Sequence, residues 1–330
     1  MSKKQSEESA NETATEASNE IASATESLDH PGNQSGVELA LRSQRDAWKE
    51  VSEATLQITS RELPSERPKR ILLVGVGSSY TAAKLTAYTL VRDKMRERVP
   101  VIACSSMSIP TEVTPTKGDW VFAFSHRGKT VPTRKALEIA DRNGAFTILV
   151  AGKGVEQPDH VRFMLPTVEL EKVEPHTVSL TSAVCAVTTL LSGQKAAEEW
   201  EALRSIGDPD LETVRSRAGE GPTVLIGEWE GECLAREGAL KLMEMARMPV
   251  RSFGSEEFYH GPHFSHSDKD VVWYLGHPKD ARAQEPLLTS AKRTISMFGA
   301  SPLAWVPALV ELQWLSLGVA LNRGINPDAK

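Results

Sequence analysis

Glu237, Lys241 and Glu244 stand four and three residues apart in the stretch EGALKLME. On a helix that spacing puts all three side chains on one face. A Glu-x3-Lys pair is most often a solvated ion stripe of little energetic weight. Here the flanking residues Ala239, Leu240, Leu242, Met243 and Met245 are apolar, and a His-Gly-Pro turn follows at 260–262. Those surroundings favour a site over a stripe. A positioned carboxylate can carry a weakly acidic C–H proton between adjacent carbons through an enediol, and burial raises its pKa toward the working range. A histidine can move a hydroxyl proton near neutral pH.

A second group of residues suits an anion. The stretch FAFSHRGKT at 122–130 ends like a phosphate-wrapping P-loop. Such a loop needs a further glycine five positions before its Gly-Lys-Thr. Ala123 stands there, inside an apolar run, so a nucleotide P-loop is rejected. Instead, a strand ending at Phe124 and a helix starting near Thr130 leave Ser125, His126, Arg127, Gly128 and Lys129 between them. They lie at the carboxyl end of a strand, where open α/β sheets bind ligands. The first N–H groups of the helix are unpaired and carry the positive end of its dipole. Ser125 and Thr130 add hydroxyls, Gly128 lets the backbone approach closely, and Arg127 can fork onto a phosphate. A second such turn, Gly77, Ser78, Ser79 and Tyr80, closes an earlier strand. Either turn alone is usually a helix cap; the two together could hold one monophosphate.

These residues also resemble a family. GSSYTAA at 77–83 is similar to the Gly-Thr-Ser-Tyr turn of the sugar isomerase (SIS) domain, and SHRGKT at 125–130 to its Ser-x-Ser-Gly-x-Thr loop. EGALKLME at 237–244 with EFYHGP at 257–262 resembles the second SIS domain of the double-SIS family, and HTVSLT at 176–181 a further segment of it. That family includes the isomerase part of glucosamine-6-phosphate synthase and stand-alone aminosugar-phosphate deaminases and deglycases. The resemblance covers roughly residues 40–325. It implies two tandem SIS domains, each a mostly parallel sheet flanked by helices in a flavodoxin-like three-layer sandwich. It implies a sugar-phosphate substrate of the fructose 6-phosphate or glucosamine 6-phosphate class, isomerised between C1 and C2. Glu244 is then the base and His260 the ring-opening group, reaching the neighbouring subunit's site in a homodimer. Lys241 and Glu237 position sugar hydroxyls or tune Glu244. Gly77, Ser78, Ser79, Ser125, His126, Arg127, Gly128 and Thr130 hold the phosphate.

The chain departs from the family pattern in four places. Ser2 stands where the synthase has its ammonia-generating cysteine, so glutamine hydrolysis by that route is not expected. Arg127 and Lys129 make the phosphate loop more basic. The second half is short. The final INPDAK differs from the family's carboxyl-terminal segment, and Lys330 is not equated with its lysine. The alternative is a non-catalytic regulatory protein that binds a carbohydrate phosphate.

The surrounding pattern supplies elements to position these residues. Residues 1–36, rich in Ser, Glu, Thr and Ala, offer little to bury and read as a disordered tail. An amphipathic helix is expected over about 37–60. ILLVG, VPVIAC, WVFAF, AFTILVAG and HVRFMLP read as strands alternating with helices, hence a parallel sheet over a first domain at 37–204. Residues 176–203 read as one long helix and 205–221 as a linker. At 222–330 the layout recurs: TVLIGEWEGECLAREGALKLM repeats strand, glycine, turn and helix about 150 residues after the first copy, a domain-sized interval. Within it, VVWYLGH reads as a strand, 284–298 as a helix, SPLAWVP as a possible strand and PALVELQWLSLGVALNRG as a closing helix.

Composition bounds the rest. Hydrophobic residues make up 40% and charged residues 25% of 330, and the formal net charge is -6. That balance gives no support to general nucleic-acid binding. Three cysteines, Cys104, Cys185 and Cys233, lack the paired spacing of a disulfide framework or a zinc site, so no metal or cofactor is expected. No apolar run reaches the ~18 residues of a membrane span, and the start lacks the apolar core of a signal peptide. The expected address is cytoplasmic.

Overall fold

The computed structural model describes residues 34–58, 62–94, 99–277, 279–280, 282–297 and 299–329. Residues 1–33 of the expected tail, and Lys330, lie outside the described residues. Residues 34–36 are not tail. Ser35 caps the first helix, α1 (Gly36–Leu56), accepting the Glu38 N–H at 3.1 Å.

Five strands form the first sheet: β1 (Ile71–Gly75), β2 (Val101–Ser105), β3 (Trp120–Phe124), β4 (Phe146–Ala151) and β5 (Phe163–Pro166), all parallel in the order β2-β1-β3-β4-β5. Strands β1 and β3 are buried at every position, which is why their sequences are unbroken apolar runs rather than alternating ones. The helices α2 (Ser78–Arg92) and α3 (Val131–Arg142) follow β1 and β3. The strand order reverses between β1 and β3, so the connections leave on opposite sides and open a crevice at the strands' carboxyl ends.

A second parallel sheet holds β6 (Val224–Gly227), β7 (Arg251–Gly254), β8 (Val272–Gly276) and β9 (Arg293–Ser296) in the order β7-β6-β8-β9. Its order repeats that of β2-β1-β3-β4. The helix α7 (Glu230–Ala246) follows β6 as α2 follows β1. The repeat extends to backbone detail. A Cβ on Gly75 would lie 2.4 Å from the Ser79 backbone, and one on Gly227 would lie 2.1 Å from that of Gly231, so both turns fold back tightly over a glycine. The next turn residues, Gly77 and Trp229, share one backbone conformation, with φ 59° and 53°.

The two sheets share one core. Alternate residues of β1 face opposite layers: Ile71 and Leu73 join Leu225, Trp273 and Trp305 in a cluster spanning both halves, whereas Leu72 and Val74 pack under α3. Three hydrogen bonds cross this layer: Gln44 Nε2 donates to Gln313 at 3.0 Å, Trp48 Nε1 to Thr181 at 2.9 Å, and Trp305 Nε1 to Thr89 at 3.0 Å. Each of these three donors thereby finds a partner inside the core. The cysteines are buried and free, and burial pushes the Cys104 and Cys233 thiols up to about 11 and about 12.

Four elements differ from expectation. The helix over 176–203 is two: α4 (Val178–Ser192) and α5 (Gln194–Leu203), broken at Gly193, whose φ of 65° no helix accommodates. The linker 205–221 contains α6 (Leu211–Ala218), capped by Asp210 and packed against the last helix, α10 (Val306–Asn322). Gly318 makes that packing possible, since a Cβ there would lie 2.9 Å from Ala218. The helix over 284–298 is only α9 (Pro286–Thr289), followed by β9. The segment SPLAWVP is not a strand: residues 301–305 form a turn anchored by buried Leu303 and Trp305, and Val306 begins α10. Strand β7 and the short helix α8 (Ser255–Tyr259) have no counterpart in the sequence reading. Short strands of mixed residues such as RSFG carry little periodicity.

Candidate functional site

The crevice at the β1/β3 switch point receives both hydroxyl-rich turns. After β1, Gly77 adopts its positive φ and hands over to α2, whose first residue is Ser78. After β3, the Gly128 N–H closes a turn on the Ser125 carbonyl at 2.8 Å, and Ser125 Oγ bonds Thr130 Oγ1 at 3.2 Å. Gly128 has φ 64°, and a Cβ there would strike Val155 at 2.6 Å. Only glycine meets both demands without strain. Helix α3 then begins at Val131.

Helix α7 crosses α2 and brings the third component. Ser78 Oγ donates to Glu237 Oε1 at 2.7 Å and accepts from Lys241 Nζ at 3.2 Å. The Lys241 ammonium lies 3.4 Å from Glu237 and 2.6 Å from Glu244 Oε2. Glu237 is 0% and Lys241 1% exposed, whereas the Glu244 side chain is 31% exposed and opens to the cleft. The ion stripe is therefore a buried tether carrying one accessible carboxylate.

The cleft has a volume of about 500 Å³. Gly77, Ser78, Ser79, Arg127 and Thr130 line it together with Lys241 and Glu244. His126 and His176 form part of its wall. Ser125 lies beneath, on a small hollow of about 30 Å³. Gly128 lies on the outer side of its turn, in a neighbouring hollow with Lys129 and Arg134. Glu237 lies below the cleft, where it can tune Glu244 through Lys241 but is not among the residues that line it. Arg127 bonds Glu174 at 2.9 Å and the Glu171 carbonyl at 3.4 Å. His260 stands apart. It follows α8 on the second sheet, its side chain is 80% exposed, and it lies 3.8 Å from Glu256.

Charge in the cleft follows burial and pairing. Burial pushes the Glu244 carboxyl above the usual carboxylate range although Lys241 pulls it back. Burial acts to lower Lys241, but Glu237 and Glu244 outweigh it and hold the ammonium above its ordinary value. Burial brings His126 down to about 4 and lowers His176. A partly solvated carboxylate with a raised pKa beside a fixed ammonium is an arrangement that can exchange protons with a bound ligand.

Sequence reasoning missed Glu171, Glu174 and His176. The buried Glu171 carboxylate accepts the N–H groups of Thr177 at 3.1 Å and Ser179 at 2.9 Å, satisfying the start of α4. Its distance in sequence from the helix hid this role. The stretch HTVSLT was noted, but a lone histidine before a helix gives no sign that it faces another strand's turn. Among the described residues no group of three or more His, Cys, Asp or Glu is placed to hold a metal ion, and no helix is long and apolar enough to cross a membrane.

Residues 66–192 match the SIS domain family model. The match covers the first sheet and both hydroxyl-rich turns. Over 213 residues the chain is 27% identical to the glutamine–fructose-6-phosphate aminotransferase (isomerizing) of Pyrobaculum aerophilum, an alignment covering 59% of this chain and 35% of that protein. The chain thus spans about a third of the length of that relative. Among solved structures, the C-terminal domain of glucosamine-fructose-6-phosphate aminotransferase from Francisella tularensis superposes with a TM-score of 0.70 at 16% identity, covering 92% of this chain and all of that one. Glucosamine-6-phosphate deaminase from Thermotoga maritima superposes with a TM-score of 0.67 at 18% identity, covering 89% and 97%. At these identities the likeness is one of fold, and it extends over both sheets.

Proposed function

We propose that the chain is a phosphosugar isomerase-type enzyme built as two SIS-like units, 37–204 and 222–330, acting on a phosphorylated amino- or ketose sugar. The observation that carries this reading is that two anion-type turns and a tethered, partly exposed carboxylate line one cleft. The phosphoryl group docks on the N–H groups and hydroxyls of the 77–79 and 125–130 turns. Glu244, facing the adjoining carbons, removes the C–H proton beside the carbonyl and returns it to the neighbouring carbon through an enediol. Lys241 keeps Glu244 oriented and holds its pKa from rising further. Glu237 holds Lys241. Gain or loss of an amine at C1 or C2 fits the same proton shuttle, as the names of the relatives suggest.

His260 enters this scheme only from a second copy, so the proposal includes a homodimer in which each subunit's 257–262 segment reaches the other's cleft. The test is turnover of fructose 6-phosphate with ammonia, glucosamine 6-phosphate and fructosamine-type phosphates, with solvent deuterium incorporation at the proton-shuttling carbon. Exchange that persists unchanged in Glu244→Gln refutes the assignment. One observation favours a second reading, a non-catalytic sugar-phosphate sensor: within one subunit His260 lies outside the cleft. That reading requires saturable binding with no deuterium exchange in any oligomeric state.

A further inference from the structure

Two imidazoles in the wall of the cleft have no part in the proton shuttle. His126 Nε2 accepts the Glu171 N–H at 2.9 Å. That contact sets the tautomer of the neutral ring, with its proton on Nδ1. The Nδ1 donor is buried and has no hydrogen-bond partner among the described residues. The His176 ring meets it edge-on, with centroids 5.0 Å apart, and His176 Nε2 is likewise buried without a partner. Both rings line the cleft and the hollow beneath it, next to Ser79 and Ser125.

The two rings differ in what they can do with a proton. Charging His126 would turn Nε2 into a donor facing the Glu171 N–H and break that bond. His176 is under no such constraint. Four charged groups act on the pair: Glu171 and Glu174 from the segment before α4, Arg127 from the turn after β3, and Lys241 from α7. Glu171 is occupied by backbone N–H groups and Glu174 by Arg127, while Lys241 and Arg127 oppose a further positive charge. Burial lowers both histidines, so both are neutral in the free protein at pH 7. A phosphoryl dianion on the two turns supplies negative charge that this balance lacks.

We propose that His176 takes up a proton when a phosphoryl dianion binds, while His126 serves as a fixed neutral Nδ1–H donor beside it. This rests on the anion site proposed above and adds that the site selects a dianion together with a proton. The sign follows from the direction of the shift. Binding raises the His176 pKa, so above the phosphoryl second pKa of about 6 affinity falls as pH rises through the value in the complex.

Calorimetry with fructose 6-phosphate in buffers of different ionisation enthalpy tests this between pH 7 and 8. The phosphoryl group, with a second pKa of about 6, is already dianionic there. Wild type is expected to take up a large fraction of a proton per ligand, with Kd weakening up to about tenfold over that pH unit. His176→Gln, or His176→Asn should the first fail to fold, is expected to bind with almost no uptake and a flat pH profile. His126→Gln is expected to bind more weakly at every pH and to retain the uptake. Binding without proton uptake in wild type, or equal uptake in wild type and the His176 variant, overturns the inference. Failure of wild type to bind either fructose 6-phosphate or inorganic phosphate refutes the anion site itself.

Discussion

Replacing Lys241 with methionine removes the ammonium and keeps an unbranched apolar stem. The consequence depends on which carboxylate loses its partner. Glu244, at 31% exposure, can rehydrate. Glu237, at 0% exposure, cannot, and its Oε2 already has no hydrogen-bond partner among the described residues. Among the described residues only the Ser78 hydroxyl at 2.7 Å remains to it. An exposed pair would be worth about 0–1 kcal/mol. Stranding a buried charge costs about 3–5 kcal/mol, and that is the expected loss for Lys241→Met. Replacing Glu237 with leucine as well removes the stranded charge. Replacing a whole buried pair with apolar residues is often neutral or stabilising by about 1–4 kcal/mol. The Ser78 hydroxyl then loses an acceptor, a cost of about 1 kcal/mol. The double variant should therefore recover at least about 2 kcal/mol over Lys241→Met. Urea unfolding of the wild type and the single and double variants at pH 7 measures both differences, with unchanged m-values as the check on a common reference state. A single variant within 1 kcal/mol of wild type, or a double variant no more stable than the single, would refute the buried tether.

Other consequences are separable from that one. Glu244→Gln should cut solvent deuterium exchange by about 10²–10⁴-fold while leaving the Kd for fructose 6-phosphate within a few-fold; equal losses in both would make Glu244 a binding residue only. The acid limb of kcat/KM should lie above the ordinary glutamate value of about 4.3, because burial raises Glu244 and the base must be ionised; activity is gained as pH rises through that raised value. Trp229 holds φ 53° with 64% of its surface exposed, so Trp229→Gly releases about 1–3 kcal/mol of backbone strain against about 0.5–1 kcal/mol of added chain entropy. The expected net gain is about 1 kcal/mol by thermal or urea unfolding, and a loss of stability would show that the indole contributes packing that outweighs the strain. Gly128→Ala should cost about 1–2 kcal/mol from its φ of 64° alone and weaken fructose 6-phosphate binding. Relieving the Val155 contact with Val155→Ala should recover only part of the loss, because the dihedral strain remains.

What the sequence determined unaided was local and periodic. The fully apolar runs ILLVG and WVFAF could only be buried parallel strands once helices alternated with them, and the glycines after them had to mark tight turns. The i, i+4, i+7 spacing of Glu237, Lys241 and Glu244 put them on one face before any coordinates did, since helix geometry alone dictates it. Short-range signals also failed where they were weak: Gly193 inside a long apolar pattern, RSFG with no alternation, and α9 and β9 within a stretch that read as one helix. Which carboxylate is accessible depended on how α7 crosses α2. Ser78 and Glu237 are far apart in the chain, and their 2.7 Å contact buries Glu237 and leaves Glu244 to the cleft. The His126–His176 pair has the same origin, because the turn after β3 and the segment before α4 meet only when the sheet is assembled. Spacing along a chain encodes which residues share an element's face. Which faces meet, and so which charges lose water, is set by packing across the whole core.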